Sequence, residues 1–295
     1  MNVGKISTAM VTPFDEQEEV DYGAVTKLVN YLISNGSDSL VIAGTTGESP
    51  TLSTEEKITL FEHVVKIVNG RVPVIAGTGS NNTKASIELT KRAEQTGVDA
   101  VMLVTPYYSK PSQEGMYLHF KKIAESTHLP VMLYNIPGRS AAGLNPETIV
   151  RLSRIENITA VKEASGDLDA IAYIIENTPE YFHLYSGDDT LTLPIMSIGG
   201  TGVVSVASHI LGNEMQDMAQ SFANGHPQYA AKRHRELLPT MKSFTVAPSP
   251  APIKAALELQ GVISADVRLP MIRLNEEEMN VLRSTLHPTT TFFVS

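Results

Sequence analysis

The chain has no cysteine among its 295 residues, which excludes disulfides, thiolate metal sites and cysteine nucleophiles. It has no long run of one charge: 23 basic residues stand against 32 acidic ones, for a formal charge of -9. The basic stripe that tracks a phosphate backbone is therefore missing. No apolar stretch is long enough to cross a bilayer. The opening MNVGKISTAMVTPF lacks the charged-then-apolar layout of a signal peptide. Eight histidines show no H-x-x-x-H spacing for a metal. These absences predict a cytoplasmic protein with no nucleic-acid or membrane partner and no metal site.

What is present is a regular succession of short apolar runs and amphipathic stretches. The runs Ile6–Phe14, Ser39–Gly44, Val72–Gly79, Ala100–Tyr108, Pro130–Pro137, Ile158–Ser165, Phe182–Asp188 and Gly202–Ser208 are mostly rich in Val, Ile and Leu with little alternation. That pattern suits parallel strands covered on both faces. Helical stretches follow them: Thr54–Asn69 opens on the capping pattern Ser53-Thr54-Glu55-Glu56, and Asn81–Thr96 stops at Gly97. Eight such units match a (β/α)8 TIM barrel. An open doubly wound sheet is the rival, because local pattern does not show closure; the absence of a G-x-G-x-x-G loop after the first strand weighs against it. The stretches Met215–Asn224, Tyr229–Phe244, Ala251–Leu259 and Asn275–Leu286 predict a C-terminal helical extension, interrupted by the proline-rich VAPSPAP (Val246–Pro252). The expected division is a catalytic barrel over 1–224 and an extension packed on it over 225–295, with a fraying end, HPTTTFFVS.

In a barrel the chemistry gathers at the C-terminal ends of the strands. There the chain places GTTGES (Gly44–Ser49), TPYY (Thr105–Tyr108), YNIPGR (Tyr134–Arg139), Lys162 and SGDD (Ser186–Asp189). Taken singly, GTTGES reads as a turn, TPYY as a loop anchored by aromatic packing (for Tyr107 above all), and Lys162 as a lysine reaching solvent. GGTGVVSV is no phosphate cradle, since its glycines precede the strand. Together the residues make a reactive set. A lysine inside an apolar strand is costly to bury as a cation, so its pKa should fall. The resulting amine forms imines with ketones and aldehydes, and Tyr134 on the adjacent strand is a candidate proton shuttle.

GTTGESPTL, VTPYYSKPSQEGMYLHF, YNIPGR and the lysine of AVKEASGD strongly resemble the dihydrodipicolinate synthase family of class I, pyruvate-dependent aldolases, with similarity through RLPMIRL (Arg268–Leu274). The resemblance implies a Schiff base between Lys162 and pyruvate, proton transfer by Tyr134, and a relay through Thr45 and Tyr108. It further implies that Thr46 and the backbone near Val204 hold the pyruvate carboxylate, that Arg139 receives the carboxylate of L-aspartate 4-semialdehyde, and that Gly187 lies near that substrate. No cofactor is implied. The partners implied are small-molecule substrates and other copies of the chain: a homotetramer built as a dimer of dimers, with Tyr108 crossing the tight interface. Related barrels, N-acetylneuraminate lyase and keto-deoxy-sugar-acid aldolases, share the lysine and tyrosine; Arg139 favours an aldehyde carrying a carboxylate. A non-catalytic keto-acid-binding barrel is the alternative of another class. Where some family members bind inhibitory lysine, this chain has Thr54, Lys57 and Ala85 beside Ser49, Asn81 and Tyr107, which predicts weak or absent feedback.

Overall fold

A computed structural model describes residues 3–286; the HPTTTFFVS segment lies outside them. Eight parallel strands close into a barrel in sequence order: β1 (Ile6–Ala9), β2 (Ser39–Ile42), β3 (Val74–Gly77), β4 (Ala100–Val104), β5 (Val131–Asn135), β6 (Ile158–Glu163), β7 (His183–Ser186) and β8 (Gly202–Ser205). Every expected strand is present and closure excludes the open sheet. The strands are shorter than expected because their C-terminal residues leave the ladder to build rim loops. Thr105–Tyr108 is one such segment.

Alternation of side chains gives the barrel two cores. Val41, Ile75, Met132, Ala160, Tyr185 and Val204 fill the interior, while outward residues such as Leu40, Leu133 and Val161 pack under the helices. Tyr185, fully buried, reaches down to accept a hydrogen bond from the Val3 amide at 3.1 Å and closes the lower end. β6 breaks the alternation once. Its pairing with β5 runs Val131↔Ile158 and then Met132↔Ala160, so Thr159 is a bulge. Ile158 and Val161, three apart, consequently both face the outer core.

Helix starts follow the polar caps in the sequence. Ser53 and Glu56 form a capping box on the helix Thr54–Val68, and Asn82 and Ser112 cap the helices Thr83–Glu94 and Gln113–Ala124. Met215–Asn224 proves to be the later part of a longer helix, Ser208–Ala223, the barrel's own eighth. Helices Pro227–Ser243, Ala251–Leu259 and Glu276–Thr285 follow it. The second is apolar nearly all round, and Ala251 to Leu257 are all buried, Lys254 among them.

Lys254 joins this extension to the barrel. Its ammonium lies 2.6 Å from Glu48 Oε1, donates to the Asp266 carbonyl at 2.7 Å, and stands over the Phe14 ring. Glu48 Oε2 accepts from the Arg268 amide at 3.0 Å. The Arg268 guanidinium then donates to the Thr51 carbonyl at 2.9 Å and pairs with Glu56 at 2.5 Å. The GTTGES loop is thereby braced from behind.

Candidate active site

Lys162 and Tyr134 lie opposite each other across β6 and β5. Both occur at inward positions, two residues beyond Ala160 and Met132 of the interior core. Lys162 is 4% exposed, and its ammonium nitrogen stands 4.3 Å from the centre of the Tyr134 ring. Among the described residues it makes no hydrogen bond or ion pair. Gly187, at the end of β7, lets the chains approach: a Cβ there would stand 2.6 Å from the Ala164 Cβ and 3.2 Å from the Lys162 Cε. Any side chain at 187 would press on the lysine.

Tyr134 also lines a cavity of about 260 Å³ at the C-terminal rim, together with Thr45, Arg139, Lys57 and Tyr107. Arg139 lies on the short helix Pro137–Ser140 after β5. It is exposed at the cavity, and its guanidinium has no ion pair or hydrogen bond among the described residues. Burial lowers the pKa of Lys57, which likewise has no acid partner there. Thr46 and Val204 are buried, 5% and 1% exposed, beside rather than along this cavity.

The structure thus brings Lys162, Tyr134, Thr45, Arg139 and Gly187 to one end of the barrel. Tyr108 it does not. That side chain is 88% exposed, its backbone has φ of +73°, and it contributes nothing to the cavity of its own chain. Tyr107, read singly as anchoring its loop by packing, also forms part of the cavity wall.

Sequence reasoning missed the polar groups that hold the rim. Glu163 ends β6, Glu48 and Asp189 lie in the loops after β2 and β7, and each takes N–H donors from loops. Glu163 accepts from Asn135 Nδ2 at 2.9 Å and from the Ser165 amide at 2.7 Å; burial pushes its carboxyl up, against these donors. Asp189 Oδ2 accepts from the amides of Val206 and Ala207, just past β8. For Glu163 the usable signal was an acidic residue ending an apolar strand, where a solvated carboxylate is not expected.

The Dihydrodipicolinate synthetase family model matches residues 2–289. The chain is 66% identical over 286 residues to a 4-hydroxy-tetrahydrodipicolinate synthase of Bacillus velezensis, covering 97% of this chain and 99% of that one. A dihydrodipicolinate synthase structure from Bacillus anthracis superposes with a TM-score of 0.95 at 58% identity, over 97% of this chain and 98% of that one. The enzyme from Cyanidioschyzon merolae, solved with lysine bound, gives a TM-score of 0.94 at 45% identity over 96% and 97%.

Proposed function

The chain belongs to the dihydrodipicolinate synthetase family, and on that premise we propose that Lys162 is the amine through which it works. The activity is that of a 4-hydroxy-tetrahydrodipicolinate synthase: pyruvate condenses with L-aspartate 4-semialdehyde and the product cyclises, a step of diaminopimelate and lysine biosynthesis. The observation carrying the residue assignment is an inward lysine without an acid partner, stacked on a tyrosine that lines the rim cavity.

The Lys162 amine attacks the keto carbon of pyruvate, water leaves, and an imine forms. Tyr134, with Thr45 and Tyr108 as relay, moves the protons. Loss of a methyl proton gives the enamine, whose carbon attacks the semialdehyde carbonyl. The substrate's own amine then displaces Lys162, closing the ring and freeing the enzyme. Thr46 and the backbone at Val204 hold the pyruvate carboxylate, Gly187 lies beside the second substrate, and Arg139, with no acid paired to it among the described residues, takes that substrate's carboxylate. A neutral sugar aldehyde offers Arg139 no such partner, which disfavours the sugar-acid aldolase reading. Borohydride trapping with pyruvate, read by peptide mass spectrometry, should mark Lys162; an unmodified Lys162 rejects the assignment.

The assembly is part of the same proposal: a homotetramer, as a dimer of dimers in which Tyr108 completes the site of a neighbouring copy. Its exposure and its absence from its own cavity support this. Tyr108→Phe and Lys162→Ala subunits, each inactive alone, should recover part of the activity when mixed; no recovery argues against crossing. Residues 1–224 act as the catalytic barrel and 225–295 as its extension, whose described part is packed on it through Lys254 and Arg268. We place the enzyme in the cytoplasm, and among the described residues no helix is long and apolar enough to cross a membrane. Feedback by lysine is weak or absent, because Thr54 and Ala85 offer no acid and Lys57 repels a diamine. Sub-millimolar inhibition in a steady-state assay would reverse that reading.

A further inference from the structure

One residue beyond Tyr134 and Lys162, the same two strands pair Asn135 with Glu163. Alternation turns this second pair outward, into the layer of loops. Both side chains are buried, 3% and 2% exposed, and Glu163 has no cation paired with it among the described residues. A buried carboxylate without a cation is costly unless hydrogen bonds replace its water. Here two N–H donors do so, from Ser165 and from Asn135.

The Asn135 amide reaches on to the far end of the loop 136–144. Its Oδ1 accepts from the Leu144 amide at 2.9 Å, and its Nδ2 also donates to the Leu144 carbonyl at 3.3 Å. One side chain therefore ties the end of that loop to its beginning. The loop carries Arg139, and its Ser140 carbonyl accepts from the Tyr108 amide at 3.3 Å. Gln113 holds the same loop from the helix Gln113–Ala124, donating to the Gly143 carbonyl at 2.8 Å.

The choice of glutamate has a reason in this arrangement. An amide can present either its oxygen or its nitrogen, and Asn135 serves the loop only when its oxygen faces the Leu144 amide. An ionised carboxylate accepts and does not donate, so Glu163 selects the orientation that turns Nδ2 toward itself. A glutamine could rotate and release that choice.

We propose that Asn135 and Glu163 are positioning residues for the second substrate, holding the loop 136–144 so that Arg139 meets its carboxylate, while touching no substrate themselves. This rests on the role of Arg139 given above.

The test compares Asn135→Ala, Glu163→Gln, Arg139→Ala and the double variant Asn135→Ala/Arg139→Ala. Two quantities are read in each: KM for the semialdehyde, and the pyruvate concentration giving half-maximal borohydride trapping at Lys162. Asn135→Ala should raise the first about tenfold or more, as loss of positioning does, and leave the second within about twofold. Glu163→Gln, nearly isosteric, should raise the first to a smaller extent and spare the second. The double variant should be no worse than Arg139→Ala alone, since residues acting through one another are not additive. Additive losses, or equal changes in both quantities in Asn135→Ala and Glu163→Gln, overturn the inference. If Arg139→Ala raises the semialdehyde KM and Asn135→Ala does not, this inference alone fails. If Arg139→Ala leaves that KM unchanged, the role of Arg139 fails first and this inference with it.

Discussion

Lys162 in β6 and Lys254 in the helix Ala251–Leu259 are both buried, 4% and 0% exposed, and both lie above an aromatic ring at 4.3 Å. Their remaining surroundings differ. Lys254 spends its protons on Glu48 and on the Asp266 carbonyl. Among the described residues Lys162 meets no acid and no carbonyl within hydrogen-bonding reach, and its ring neighbour opens on a cavity. Burial pushes Lys254 down to about 8, with Glu48 opposing. A displaced titration taken alone would nominate Lys254 as the reactive amine. Geometry rejects it, because no substrate can approach a nitrogen enclosed by Glu48, Asp266 and Phe14. What distinguishes a nucleophile here is therefore a nitrogen without an acid or carbonyl partner, set against a ring that lines a cavity.

Exchanging the properties of the two lysines tests this contrast. Lys162→Ala should cut turnover by roughly 10⁴-fold or more and abolish the pyruvate adduct, while the urea unfolding midpoint moves little. A large loss of stability would make Lys162 structural as well. Lys254→Met should do the reverse. Stranding Glu48 without its cation costs about 3–5 kcal/mol in unfolding free energy, yet folded protein should still form the Lys162 adduct. Adding Glu48→Leu should return part of that stability, since a buried pair replaced whole is far cheaper than a pair broken. A Lys254→Met protein of normal stability that forms no adduct would break the comparison.

The smallest effect is on acid stability. Glu56 is held at about 2, chiefly by its hydrogen bond from Arg268 in the same brace. A carboxyl whose pKa is lowered on folding adds stability above its unfolded value, lost as pH falls from about 4.5 towards 2. Glu56→Gln should therefore flatten the decline of stability across that window, and an unchanged acid titration of unfolding would refute the pairing.

Much of the barrel was legible because its strands are apolar on both faces and its helices carry their own caps. The rim residues could be read because reactive side chains sit at strand ends. Lys254 was not read, although APIKAALEL sets a lysine in an apolar helix much as ITAVKEAS sets one in an apolar strand. Its partner, Glu48, lies 206 residues away, and no local pattern reports such a pairing. Asn135 and Glu163 escaped for a related reason: each follows a residue with evident chemistry, and their outward direction depends on strand register.

That register depends on the length of β6. Had Thr159 not bulged, Met132 would pair with Thr159, and Tyr134 would face Val161 instead of Lys162. The meeting of amine and phenol is thus a matter of counting as much as of residue identity. Substitutions at 159 that keep the bulge leave the count intact, and deletion of that one residue removes only the surplus, whereas losing a residue between Ala160 and Lys162 would give Tyr134 another partner. For grafting this chemistry onto another barrel, the register between the two strands is as much a component to be carried over as the lysine.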